Sequence, residues 1–238
     1  PTNHMEGHII SSLVQNVRLE NIQLPVLALL VSGGHTELVL TKSWFTYEIV
    51  GKTLDDAVGE AFDKVARMLG LPYPGGPEIS KLATFHRQNP RGSTSWKLPR
   101  PMINSNTCDM SFSGLKTAAL YALRDKKLTE EERAAFAAEF EEAVADVLIS
   151  KTRKALWDTG AQTFVIGGGV AANRYLREKL EALVLEEFPD VGLRLPELSI
   201  TGDNAIMIAQ AALARALSGI NDAAGPELRA VGNLSIAS

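Results

Sequence analysis

Pro25-Val26-Leu27-Ala28-Leu29-Leu30-Val31-Ser32-Gly33-Gly34-His35-Thr36-Glu37-Leu38-Val39-Leu40 is the stretch whose reading decides the fold. Two apolar runs rich in β-branched residues flank Ser32-Gly33-Gly34, which predicts a strand, a tight turn and a returning strand. Such a tip can hold an anion. The glycines let backbone N–H groups approach a phosphate with no Cβ in the way, and Ser32 adds a hydroxyl. A bare Ser-Gly-Gly turn is also an ordinary hairpin, so the function has to come from the surrounding chain.

Outward from this hairpin, Tyr47–Val50 reads as a third short strand. Thr53 is placed to cap a helix from Leu54 to Leu69, ended by Gly70. On that helix Ala57, Ala61, Val65 and Leu69 form an apolar stripe. Asp63 lies opposite Ala61 and reads as a solvated acid. Leu71-Pro72-Tyr73-Pro74-Gly75-Gly76-Pro77 is a rigid loop with exposed backbone donors. From Asn89 to Asp109 a loop rich in Pro, Ser, Asn and Arg carries Arg91, Trp96, Lys97 and Arg100, a character that suits either a solvated surface or contact with RNA. Ser111-Phe112-Ser113-Gly114-Leu115-Lys116-Thr117 opens a helix through Leu123. Thr129 and Glu132 make a capping box for a long helix to Trp157, closed by Gly160.

The last third alternates. Thr163–Ile166 is a short buried strand, Gly167-Gly168-Gly169 a turn, Asn173–Leu185 a helix, Gly192–Leu195 a strand, and a final helix runs to Leu217. Glycines between a strand end and a helix N-terminus favour a phosphate, because free N–H groups and the macrodipole converge there. Three strands, a helical insertion, then strand, helix, strand, helix is the order of a ribonuclease H-like half of the actin, sugar-kinase and Hsp70 superfold. No Gly-x-x-x-x-Gly-Lys-[Ser/Thr] is present, which excludes a P-loop.

Upstream, Thr2 or Asn3 can cap a helix through Ile10. His4 and His8 then share one face a turn apart, as two imidazoles on one divalent metal would, or as a partly buried histidine pair. Glu6 falls about 200° round the helix from each histidine. It therefore points away from any metal they share, which argues against a zinc peptidase with Glu6 as general base. Asp203, at the start of the last helix, reads as an N-cap.

The 238 residues suffice for one large domain or two small ones, and 45% apolar with 22% charged residues describes an ordinary globular chain. No apolar run reaches membrane-spanning length, and no secretory leader is visible. The single cysteine, Cys108, excludes an internal disulfide and reads as an inert thiol in a reducing cytosol. A net charge of −4 leaves nucleic-acid binding to a local patch or to a partner. Because the chain opens with Pro1 and enters a helix at once, a segment upstream is expected to have been removed. Residues 1–24 are expected to link to a further lobe, 25–218 to form the ribonuclease H-like lobe with its insertion at about 54–158, and 219–238 to fray as a tail.

Seven motifs in register carry a resemblance: Asn3-His4-Met5-Glu6-Gly7-His8, Leu30-Val31-Ser32-Gly33-Gly34-His35-Thr36, Ala61-Phe62-Asp63-Lys64, Tyr73-Pro74-Gly75-Gly76-Pro77, Ser111–Thr117, Gly168-Gly169-Val170-Ala171-Ala172-Asn173 and Thr201-Gly202-Asp203-Asn204. Together they resemble the tRNA N6-adenosine threonylcarbamoyltransferase (TsaD) family, once called O-sialoglycoprotein endopeptidases, in its bacterial form. The resemblance implies that His4, His8 and Asp203 bind one divalent metal, iron with zinc as a substitute. It implies that Leu30, Val31, Ser32, Gly33 and Gly34 meet the phosphate and acyl side of threonylcarbamoyl-AMP, and that Asp63, Gly76 and Asn173 hold its nucleoside, which overrides the surface reading of Asp63.

The implied reaction moves the threonylcarbamoyl group to N6 of the adenosine 3′ of the anticodon in tRNAs reading codons that begin with A. Positioning and charge stabilisation carry it, and no general base stands out. Implied partners are tRNA, a paralogous TsaB-type subunit and a TsaE-type ATPase, in the cytoplasm and away from membranes. The family's amino-terminal lobe, upstream of the histidines, is absent from this chain, so weak nucleotide binding and poor turnover by the chain alone are expected. The rival readings are a metallopeptidase, a non-catalytic paralogous scaffold, and a small-molecule kinase of the same superfold.

Overall fold

The computed structural model describes residues 2–14, 19–90, 96–220 and 234–237. In chain order the elements are α1 (His4–Leu13), β1 (Val26–Val31), β2 (Thr36–Ser43), β3 (Thr46–Lys52), α2 (Val58–Met68), α3 (Gly75–Gln88), α4 (Ser113–Leu123), α5 (Glu130–Thr159), β4 (Thr163–Gly167), α6 (Arg174–Glu187), β5 (Gly192–Arg194) and α7 (Ala205–Leu217). The strands form one sheet in the order β3-β2-β1-β4-β5. β1–β2 and β2–β3 are antiparallel, whereas β4 lies parallel to both β1 and β5. This is the ribonuclease H-like order expected above, with α2–α5 inserted between β3 and β4.

All six residues of β1 are buried, because this central strand separates two cores. Its side chains alternate. Leu27, Leu29 and Val31 join the large core with Phe62, Phe136, Phe140, Phe164 and Ile166. Val26, Ala28 and Leu30 face the other way, onto Met5, Ile9 and Leu13 of α1 and Val165 of β4. The insertion therefore covers one face of the sheet and α1 the other.

α5 begins with the expected Thr129–Glu132 capping box and ends at Gly160 in the left-handed conformation, φ 60°. It is 30 residues long, and among the described residues no helix is long and apolar enough to cross a membrane.

Two local expectations are corrected. Thr53 does not cap α2, which starts at Val58 with Ala57 at the N-cap. Residues 53–57 instead form a turn held by Thr53 Oγ1 donating to Asp56 O at 2.8 Å. That turn frees Asp55 to accept from Phe112 N at 2.8 Å and Ser113 N at 3.1 Å, so it caps α4.

The basic loop is not a solvated one at its aromatic and Arg100 end. Trp96 packs edge-on against Phe136 with ring centroids 5.0 Å apart, Leu98 is buried, and Arg100 bridges Glu139 at 2.6 Å and Asp146 at 2.8 Å. Apolar contact and ion pairing to α5 consume the groups that would have met RNA, leaving Lys97 exposed. Arg91 lies outside the described residues, as do 221–233 of the expected tail.

Candidate functional site

Asn3 starts α1 by accepting from Met5 N at 2.8 Å, so His4 and His8 emerge one turn apart on the same face. The last helix meets them there. Asn204, not Asp203, caps α7, accepting from Met207 N at 3.0 Å. Asp203 is thereby free to turn its Oδ1 to His4 Nε2 at 3.2 Å and His8 Nε2 at 3.1 Å. The three ligand atoms all lie within 4.8 Å of one another.

Exposure differs within the cluster: His8 is 2% exposed, His4 50% and Asp203 72%. Burial, with the neighbouring His4, pushes the His8 pKa below its usual value despite Asp203, so His8 stays a neutral, lone-pair-bearing imidazole. Two imidazoles and a carboxylate converging on one point fit a single divalent transition-metal ion, with room for further ligands on the exposed side.

The residues between the histidines set this geometry. Gly7 lets α7 come close, since a Cβ there would sit 3.2 Å from Ile208 Cδ1 and 3.3 Å from Met207 Cγ. Glu6 is fully buried and receives Arg215 of α7 through two bonds, Nε at 2.7 Å and Nη2 at 2.9 Å. It faces away from the cluster, as its helical angle requires.

Across the sheet end lies a cavity of about 770 Å³, bounded by Gly33 of the hairpin tip, Phe62 and Asp63 of α2, Gly76 of α3, and Asn173 and Tyr175 at the start of α6. The first turns of α3 and α6 both open onto it, placing two positive dipole ends at its wall. Asp63 Oδ1 accepts from Gly75 N at 2.7 Å, so this acid braces the start of α3 while lining the cavity. The cluster and the cavity adjoin through the β4–α6 turn. A Cβ on Gly167 would lie 3.4 Å from His8 Cβ, and two residues later Gly169 lines the cavity.

Of the eleven residues singled out from sequence, the structure gathers His4, His8 and Asp203 in one cluster and Gly33, Asp63, Gly76 and Asn173 around one cavity. Leu30 and Val31 are fully buried in β1, so their side chains meet the cores and not the cavity. Ser32 Oγ turns inward, accepting from Gly34 N at 3.3 Å and His35 N at 3.0 Å. Those two donors are spent on the turn, while the Ser32 hydroxyl proton and the Gly33 N–H keep no acceptor among the described residues.

Sequence reasoning passed over Ser80, Arg87, Glu141 and Tyr175. Glu141 carried a readable signal: its neighbours at three and four residues, Ala137, Ala138, Val144 and Ala145, are all apolar, which places a carboxylate on a buried face.

A sequence profile described as TsaD, tRNA N6-adenosine threonylcarbamoyltransferase, matches residues 1–210. A protein of that name from Thermosipho africanus (strain TCF52B) is 44% identical over 234 residues, covering 98% of this chain and 67% of the relative. One from Acidovorax sp. (strain JS42) is 46% identical over 220 residues, 91% of this chain and 59% of the relative, and one from Dichelobacter nodosus (strain VCS1703A) 46% over 209, 88% and 58%. The chain thus spans about three fifths to two thirds of the length of these relatives. Among solved structures, full-length HypF in its phosphate- and nucleotide-bound form superposes with a TM-score of 0.61 at 14% identity, over 90% of this chain and 35% of that one, a likeness of fold.

Proposed function

We propose, for a chain that belongs to the TsaD family of tRNA N6-adenosine threonylcarbamoyltransferases, that its site takes threonylcarbamoyl-AMP and passes the threonylcarbamoyl group to N6 of the adenosine 3′ of the anticodon in tRNAs reading codons that begin with A. The observation that carries this reading is the adjacency of the His4–His8–Asp203 cluster to a cavity flanked by two helix N-termini. An acyl phosphate needs both neighbours: an electropositive cradle for AMP, and an electrophilic centre beside the carbonyl.

In the reaction, the adenosine N6 attacks the carbamoyl carbon, the bond from that carbon to the phosphate oxygen breaks, AMP leaves and N6 loses a proton. A bound Fe²⁺, or Zn²⁺ in its place, would be held by His4, His8 and Asp203 and would supply Lewis-acid polarisation of the carbamoyl-phosphate oxygens. The chain's own groups orient the substrate. The Ser32 hydroxyl and the Gly33 N–H are free to donate to phosphate or carbonyl oxygen, and the first turns of α3 and α6 favour the phosphate charge. Asp63, braced on Gly75, keeps one carboxylate oxygen for the nucleoside.

The proposed setting is the cytoplasm, with tRNA, a paralogous TsaB-type subunit and a TsaE-type ATPase, which would help an acidic chain hold a polyanion. A metallopeptidase reading fares worse, because Glu6 is buried against Arg215 and cannot activate a water at the cluster. The test is nucleoside analysis of unmodified tRNA incubated with threonylcarbamoyl-AMP, Fe²⁺, this chain and both partners. Threonylcarbamoyladenosine that disappears with His8→Ala and with Asp203→Ala supports the reading. Its absence from wild-type reactions in which metal and AMP are bound overturns it.

A further inference from the structure

Behind the nucleoside wall of the cavity sits a carboxylate that no step above uses. Glu141 of α5 is 2% exposed and accepts from Ser80 Oγ at 2.7 Å, Asn173 Nδ2 at 2.7 Å and Arg87 Nη1 at 2.6 Å. Arg87 in turn donates to Ala138 O at 3.4 Å and lies 3.5 Å over the Tyr175 ring. Ser80, Glu141, Asn173 and Tyr175 all line the cavity.

The direction of each bond follows from chemistry. Arg87 and the Asn173 amide nitrogen can only donate, so the Glu141 oxygens they meet accept. The Ser80 proton must therefore point at Glu141. The Asn173 amide nitrogen donates to Glu141 Oε1 and to Ser80 Oγ at 2.9 Å, while its carbonyl oxygen accepts from Leu176 N at 2.9 Å to cap α6. Ser80 Oγ, having donated once and accepted once, keeps a single lone pair for the cavity.

We infer that Glu141 is a positioning residue that fixes the hydrogen-bonding sense of the cavity wall, so that Ser80 presents an acceptor to a donor on the bound nucleoside. The inference rests on the nucleotide reading of the cavity. It adds Ser80 to the residues that meet the nucleoside, with Asn173 beside it. The nucleoside donor has two sources, a ribose hydroxyl or the 6-amino group of adenine.

Replacing Glu141 by Gln keeps size and shape but reverses the sense. The amide oxygen must stay with Arg87, which turns the amide nitrogen toward Ser80; Asn173, itself a donor there, loses that bond, and Ser80 accepts inside and aims its proton at the cavity. Calorimetric titration with AMP, 2′-deoxy-AMP, 3′-deoxy-AMP and purine riboside monophosphate, which lacks the 6-amino group, reads this directly. In wild type one analogue binds about tenfold more weakly than AMP, the value of a single hydrogen bond to a wall built for it. The analogue identifies the source. Glu141→Gln and Ser80→Ala both bring that ratio to about one, leaving the other two ratios unchanged.

A purely structural role would weaken all four ligands alike. Unchanged ratios in both variants, with wild type binding AMP, overturn the assignment of Glu141 and Ser80 while the nucleotide reading stands. Failure of wild type to bind AMP overturns the nucleotide reading and this inference with it. Should Glu141→Gln not fold because Arg87 loses its counter-charge, Ser80→Ala, which leaves that pair intact, decides alone.

Discussion

The histidine–aspartate cluster and the cavity wall adjoin through one turn, yet they are held in opposite ways. Side chains in the wall fix one another directly, through a buried carboxylate that binds Ser80, Asn173 and Arg87. In the cluster Asp203 is 72% exposed, stands at the start of a different helix and meets both histidines through a single oxygen. Its place is set by the packing of α7 on α1, where Gly7 admits α7 and, on the side away from the histidines, Glu6 clamps Arg215. A preformed wall selects a ligand by the pattern of its polar atoms, whereas a cluster aligned by helix packing stays open to change its outer ligands as a reaction proceeds.

The sharpest way to break the comparison is Arg215→Ala. It strands the fully buried Glu6 carboxylate and is expected to cost about 3 kcal/mol in urea denaturation. Metal affinity should fall with it while AMP affinity, normalised to folded protein, holds. Next, His8→Ala or Asp203→Ala removes one of three ligands and should weaken metal binding about a hundredfold, or about 2.7 kcal/mol, leaving the wall's discrimination among AMP analogues untouched; direct metal titration and the AMP titrations check the two halves. An equal loss at both sites in either variant would show that they are one mechanical unit.

Gly168→Ala strikes the turn that the halves share. Gly168 has φ 90°, and a Cβ there would fall 2.4 Å from the Val31 carbonyl oxygen. About 2 kcal/mol of stability should be lost, and metal and AMP affinities should drop together.

Asp55 belongs to neither half. Burial raises its carboxyl, but hydrogen bonds from Ser111, Phe112 and Ser113 outweigh that and hold it at about 2, against 3.8 unfolded. A lowered folded-state pKa means that its contribution is full above pH 3.8 and fades as the pH falls toward 2. Asp55→Asn should cost about 1 kcal/mol at neutral pH, with the gap to wild type closing through that acid window in thermal melts. Gly34→Ala should be the mildest, within about 0.5 kcal/mol of wild type, since no atom lies within 4 Å of the added carbon.

The sheet was readable because its signal is local. Two apolar runs and the Ser32-Gly33-Gly34 turn between them fix the hairpin, and glycines mark the end of β4. His4 and His8 were readable for the same reason, their spacing alone putting them on one face. Asp203 was not: a lone aspartate before a helix reads as a cap, and only the resemblance, and then the finding that Asn204 caps α7, separates the two roles. Thr53 misled because a good capping residue four places early was used for a turn, one that sends Asp55 to α4. Trp96 and Arg100 misled because a basic aromatic loop has the same composition whether it faces solvent or packs on α5. Glu141 went unseen because a glutamate in a charged helix looks solvated until its apolar neighbours are counted.

The cluster joins residues separated by 195 positions along the chain. During synthesis His8 leaves the ribosome before the sheet and the helical insertion, and Asp203 only after both have been made. A nascent chain therefore offers an ion just the paired imidazoles, and full chelation arrives with the last helix. Retention of the proposed ion would therefore report a chain made as far as α7.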